Sequence, residues 1–318
     1  MVTGSARGGN SHSANVNRAQ GLISVSENIA AWGYFVAWRI LRWLPESFVY
    51  SRANSVADYM VKKNGKSVRR LRSNLARTQP NITALDLDLL TYKGMRSALR
   101  YWCDTFRFPD WSKERILGTV TFNDESILMD AVAAGNGAIV TLPHCGNYDH
   151  AAAYFCARGA KIVTVAEHLK PEKLFKKFMQ YRSDFGMESL PLDGRVIPTL
   201  MQRIRTGCVV ALAADRDLSK SGIDVNFFGG PARMPAGPAL LAIRTGAPLI
   251  SAYVSYTQTG IHIDFTRVEI PTEGTETQRV AALVQKSADL FAQGIAKYPQ
   301  DWHMMQRIWI DGDFKDRD

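Results

Sequence analysis

Downstream of Ile127, short aliphatic or β-branched runs alternate with longer amphipathic stretches, which restricts the chain to an α/β fold built on a mostly parallel sheet. The runs at 138–142, 161–165, 209–213, 223–227, 249–255 and 262–268 predict strands. The stretches at 148–157, 172–185, 197–206, 236–245 and 277–297 repeat apolar residues with helical spacing and predict helices flanking that sheet. No internal repeat or low-complexity tract interrupts this part.

Upstream, the pattern is helical. Over 25–44, Ile29, Trp32, Val36, Ile40 and Trp43 recur at helical spacing and Pro45 closes the segment. Arg39 and Arg42 break its apolar stretch, so it falls short of the roughly 20 apolar residues that span a bilayer. Its Trp32, Trp38 and Trp43 either pack on the domain or lie at a lipid interface, where indole is favoured. The Ser/Gly/Asn-rich residues 1–18 read as a disordered leader without the apolar core of a signal peptide. Residues 19–318 then read as one domain, with 19–126 mainly helical, including amphipathic helices, and 127–318 α/β.

Formal net charge is +9, which favours a negatively charged partner: nucleic acid, anionic lipid or a phosphorylated small molecule. Much of it sits in a helical run, Lys62, Lys63, Lys66, Arg69, Arg70, Arg72 and Arg77. A membrane surface or plain solvent fits this run. No zinc-finger, helix-turn-helix or RNP-type motif supports nucleic acid. The four cysteines, Cys103, Cys145, Cys156 and Cys208, form neither CxxC pairs nor a disulfide-dense pattern, and His150, His168, His262 and His303 have no metal-ligand spacing. The expectation is a protein of a reducing compartment, without metal or tightly bound cofactor.

The segment GAIVTLPHCGNYDHAAAYF, 137–155, carries the chemistry. A strand runs into Pro143, then a polar turn, then a helix, which puts His144 at the carboxyl edge of the sheet, where open α/β sheets hold ligands. The turn at Gly146 and Asn147 folds His144 toward Asp149, and an acid bonded to one ring nitrogen leaves the other as a general base. No GxSxG elbow supplies a nucleophilic serine. Cys145, beside His144, points elsewhere and reads as a small buried residue. A His-Asp pair without a protein nucleophile suits deprotonation of a substrate hydroxyl, with the oxyanion held by amides of the Gly146 turn or by an Arg. Arg182 and Arg195 could grip a phosphate or be plain surface residues. Asp215 ends the apolar run CVVALAA at another strand edge, and Asp217 follows it. Gly229 and Gly230 after Phe227 and Phe228 predict a turn.

The motif HCGNYD, 144–149, matches the H-x4-D/E box of the glycerolipid and lipid A acyltransferase superfamily. PLDGR at 191–195, the stretch 207–250 with ADRDL, FFGG and GPA, RRLRSNLAR at 69–77 and RYWCDTFRFP at 100–109 resemble the bacterial lipid A branch. Within that branch, RYWCDTFRFP, ADRDL and DWHMMQ at 301–306 especially resemble actinobacterial phosphatidylinositol mannoside acyltransferases, and the similarity covers 32–309. The resemblance implies a peripheral enzyme at the cytoplasmic face of the plasma membrane. It implies acyl-CoA, typically palmitoyl-CoA, as donor co-substrate and an anionic glycolipid, phosphatidylinositol mannoside, as acceptor. It also implies His144 as base, Asp149 as box acid, Asp215 as the carboxylate paired with His144 (Asp217 as the alternative), and Glu167 and Arg182 near the substrate groove. An acyl-CoA thioesterase and a non-catalytic basic lipid-binding protein are the rival readings.

Overall fold

The computed structural model describes residues 33, 36, 38–166, 172–192, 196–217 and 221–312. The leader, Ile29, Trp32, Glu167 and Arg195 lie outside the described residues.

Helical residues 38–43 lead into α1 (Glu46–Lys63), α2 (Lys66–Thr78), α3 (Ala84–Arg107) and α4 (Lys113–Gly118). The Thr83 hydroxyl accepts the Asp86 amide and starts α3. Leu87, Leu90, Thr91, Gly94, Met95 and Ala98 follow on its buried face at helical spacing. Leu71 and Leu75 of α2 join Leu87, Leu90 and Met95 in a small separate core with Ala57 and Val68. The aromatic stripe divides. Trp38 is buried against Phe106 and Phe178, whereas Ile40 and Trp43 face solvent.

The α/β part alternates β1 (Val120–Phe122), α5 (Ser126–Ala133), β2 (Ala138–Leu142), α6 (Tyr148–Ala157), β3 (Ile162–Ala166), α7 (Glu172–Asp184), β4 (Glu188–Pro191), α8 (Val196–Arg205) and β5 (Val209–Ala213). A hairpin, β6 (Ile223–Phe227) and β7 (Gly230–Met234), precedes α9 (Gly237–Thr245), β8 (Leu249–Tyr256), β9 (Ile261–Val268) and α10 (Glu276–Lys297). Seven strands form one sheet in the order β1-β9-β8-β2-β5-β3-β4, and every pairing is parallel except β8 with β9. The mostly parallel α/β architecture is therefore as expected. β2 is central and buried along its whole length, which is why it reads as a continuous apolar run.

Three departures have local causes. The sheet begins at Val120, upstream of Ile127, because β1 is only three residues and too short for a period. β4 is a short edge strand ending in Pro191. β7 opens with Gly-Pro and acquires strand geometry from its antiparallel partner β6. Between them Phe228 and Gly229 both take positive φ, 49° and 75°, as a tight two-residue hairpin turn requires. That turn was expected at Gly229 and Gly230.

His150, on α6, is buried with Nε2 bonded to the Ile116 carbonyl at 3.2 Å and its ring against Trp111. A carbonyl only accepts, so Nε2 carries the proton. Burial pushes its pKa down from 6.5 to about 4. The unfolded chain therefore binds a proton in this window that the native one refuses, so stability is full above about pH 6.5 and falls toward pH 4. The gap corresponds to roughly 3 kcal/mol at about pH 4. Denaturant titrations from pH 7.5 to 4 are expected to show this loss, with a shallower slope for His150→Gln; equal slopes would contradict the assignment.

Candidate active site

Strand register sets the geometry. Parallel pairing of β2 with β5 places Leu142 opposite Ala213. Two residues beyond each strand end, His144 and Asp215 are then level on neighbouring strands, about 4.8 Å apart in the sheet. His144 Nδ1 lies 2.6 Å from Asp215 Oδ1. The His144 amide donates to Asp215 Oδ2 at 3.1 Å, and the indole N–H of Trp302 donates to the same oxygen at 2.8 Å. Asp215 is fully buried, while the His144 side chain is 43% exposed. Burial alone would raise the Asp215 pKa. The facing His144 and the bonds from His144 and Trp302 outweigh it and hold the carboxyl below its usual range. An ionised carboxylate only accepts, so Nδ1 carries the proton and the basic lone pair of the neutral ring is on Nε2.

The C-terminal segment holds this turn in place. Cys145 and Trp302 form an antiparallel bridge, flanked by bonds from the His303 amide to the His144 carbonyl and from the Gly146 amide to the Asp301 carbonyl, both 2.8 Å. Gly146 has φ 51°, and a Cβ there would stand 2.4 Å from the Val254 carbonyl oxygen. Only glycine fits a backbone pressed so closely on β8.

Asp149 corrects the first reading of the motif. Its carboxylate, also buried, does not hold the His144 ring. It accepts Arg182 Nε at 3.1 Å and the Tyr101 hydroxyl at 3.0 Å, linking α6 to α7 and α3. The physical reason is the helix that begins at Tyr148: the Asn147 side chain accepts the His150 amide as its N-cap and donates to buried Asp104 at 3.1 Å. The first turn is thereby oriented inward, with Asp149 facing α3 and α7. Arg182, expected near the substrate groove, has its Nε on Asp149 and its side chain only 16% exposed. Asp217 sits by the β6–β7 hairpin, its amide bonded to the Arg233 carbonyl at 2.7 Å. Asp215, not Asp217, is the acid at the ring.

Two further expectations meet the geometry differently. The Gly146 amide, offered as an oxyanion donor, is committed to Asp301. Cys145 is buried, its Sγ accepts the Val254 amide at 3.3 Å, and burial raises its pKa well above the ordinary thiol range, which removes it as a nucleophile. Sequence reasoning missed Trp302, Tyr101 and Ser97; the DWH tripeptide following a long amphipathic helix was the available signal for the first.

The family model described as bacterial lipid A biosynthesis acyltransferase matches residues 19–310. The chain belongs to that family. Among curated acyltransferases it is 38% identical over 297 residues to the phosphatidylinositol mannoside acyltransferase of Mycobacterium tuberculosis (strain CDC 1551 / Oshkosh), covering 90% of each chain. It is 38% identical over 293 residues to that of Mycolicibacterium smegmatis, covering 91% of this chain and 94% of the relative. As an acyltransferase, it carries its exposed imidazole and buried acid where the family's H-x4-D box begins and where β5 ends.

Trp302→Phe keeps the ring packing and removes one donor from buried Asp215. The loss of that hydrogen bond is expected to cost about 1–3 kcal/mol in unfolding free energy, with the fold retained by circular dichroism. Unchanged stability would show that Asp215 does not depend on the indole.

Proposed function

We propose that this acyltransferase moves a fatty acyl chain, palmitoyl by preference, from acyl-CoA to a mannose hydroxyl of phosphatidylinositol mannoside, with His144 as general base. The reading rests on one observation, the exposed His144 ring tied through Nδ1–H to buried Asp215. The names of the 38% identical relatives support the acceptor.

In the reaction, Nε2 of His144 takes the proton of the mannose hydroxyl as its oxygen attacks the thioester carbonyl. Asp215 stabilises the imidazolium that forms. The tetrahedral intermediate collapses, the C–S bond breaks, and the coenzyme A thiolate recovers the proton from His144. Asp149 acts through structure, clamping the turn that carries His144 by way of Arg182 and Tyr101. Glu167 and Arg182 retain the substrate-binding roles that the resemblance implies, and Arg195 retains its proposed grip on a substrate phosphate. The chemistry calls for no metal and no cofactor beyond acyl-CoA.

We place the enzyme peripherally on the cytoplasmic face of the plasma membrane. No helix among the described residues is long and apolar enough to cross a bilayer. Ile40, Trp43 and Phe48 are exposed, and Arg39 and Arg52 lie over the rings of Trp43 and Phe48. A cavity of about 560 Å³ beside them is lined by Trp38, Arg39, Arg42, Trp43, Asp110 and Lys177. Such a mixture of indole and cation suits an anionic lipid interface.

With labelled palmitoyl-CoA and phosphatidylinositol mannoside, His144→Ala is expected to lower transfer by about 10²–10⁴-fold while keeping its circular dichroism spectrum; transfer at the wild-type rate would remove His144 as base. Coenzyme A release just as fast without acceptor would instead mark a thioesterase. Co-sedimentation with vesicles containing anionic phospholipid is expected to weaken as salt rises and to weaken further in Trp43→Ser. Binding indifferent to both changes would contradict the surface assignment.

A further inference from the structure

Beside His144 lies a second histidine that the mechanism above does not use. The His303 amide donates to the His144 carbonyl at 2.8 Å. The two rings also flank one pair of tyrosines. His144 meets Tyr148 edge-on at 6.4 Å between centroids, Tyr148 meets Tyr101 at 5.2 Å, and Tyr101 meets His303 at 6.2 Å. The imidazoles thus close the two ends of a single aromatic wall.

The hydrogen bonds assign the His303 tautomer. Asp301 is buried, and as a carboxylate it only accepts: Oδ2 from the Tyr256 amide at 2.9 Å and Oδ1 from the Ser97 hydroxyl at 2.6 Å. Ser97 has one proton and gives it to Asp301, so its oxygen accepts from His303 Nε2 at 2.8 Å. Nε2 therefore carries the ring proton and Nδ1 a lone pair. Nδ1 has no hydrogen-bond partner among the described residues, and His303 as a whole is half-buried. The ring stays neutral, because burial and the neighbouring His144 push its pKa down to about 3. A lone pair cannot stabilise an oxyanion, so His303 is not an oxyanion donor. What it can recognise is a hydroxyl.

We propose that His303 Nδ1 accepts a hydrogen bond from a hydroxyl of the sugar acceptor, next to the one His144 deprotonates, with Tyr101 and Tyr148 as the wall against which the sugar lies. His303 then fixes which hydroxyl of the polyol reaches His144, and Ser97 and Asp301 are positioning residues that hold its tautomer. This rests on the acceptor reading given above.

Direct binding tests it. Phosphatidylinositol mannoside in detergent micelles and, separately, palmitoyl-CoA are titrated into the wild type, His303→Phe, His303→Asn and Ser97→Ala, each with its thermal midpoint recorded. His303→Phe is expected to weaken acceptor binding by about tenfold, the loss of one good hydrogen bond. His303→Asn, whose side-chain oxygen falls near the Nδ1 position, recovers most of it, and Ser97→Ala gives an intermediate loss because the proton can move to Nδ1. Among monodeoxy mannose analogues, one costs the wild type about tenfold and His303→Phe nothing further. Equal acceptor binding by His303→Phe and wild type overturns the proposal, as does an equal weakening of acceptor and palmitoyl-CoA, or failure of Asn to rescue. A wild type that binds palmitoyl-CoA but not the glycolipid overturns the acceptor reading itself, a result distinct from the failure of His303 alone.

Discussion

Everything at the sheet edge depends on keeping one carboxylate charged where no water reaches it. Asp215 is fully buried, and an ionised acid in such a place is stable only when each oxygen is answered. The His144 ring answers one, and the His144 amide and the Trp302 indole answer the other. The same bonds that satisfy the acid also choose the tautomer of the base. Solvation of Asp215 and orientation of His144 are one problem with one solution.

That solution recruits four distant parts of the chain. β2 and β5 supply the pair by parallel register, and the tripeptide 301–303 supplies the clamp, bridging the turn through Cys145 and Trp302. α3 supplies the floor: Ser97 contacts Asp301 and His303, Tyr101 contacts Asp149, and Asp104 receives Asn147, the Tyr50 hydroxyl and the Tyr256 hydroxyl. Burial raises the Asp104 pKa despite these donors, so its charge is dearly held. The helical N-terminal part is thus continuous with the site.

The box acid shows how a motif can be right about importance and silent about role. Asp149 lies in the first turn of α6, where a carboxylate is favoured by the helix dipole, yet its partners are Arg182 and Tyr101. The family resemblance had pointed to Asp215 as the partner of His144, although local spacing favoured Asp149. A separation of four intervening residues across a strand, a turn and a helix N-terminus does not specify which way the helix faces. Register between two strands does.

Much of the fold was legible from local pattern alone. The central strands and the helices after Asn147 follow from apolar runs, helical spacing and end signals, because β2 is buried along its whole length and β5 over its first two residues. The position of His144 at a strand's carboxyl end and the inert burial of Cys145 also follow from adjacent residues, while the turn expected at Gly229 and Gly230 falls one residue earlier, at Phe228 and Gly229. β1, β4 and β7 escaped because each is short and takes its geometry from a neighbour. Tertiary structure alone decided that Asp149 bonds Arg182 and Tyr101 rather than His144, that Trp302 and the His303 amide brace the turn, and that Trp38 packs inward while Trp43 faces out. Those contacts join residues far apart in sequence, and a side chain's partner across such a separation is set by strand order and helix orientation, which no local period encodes.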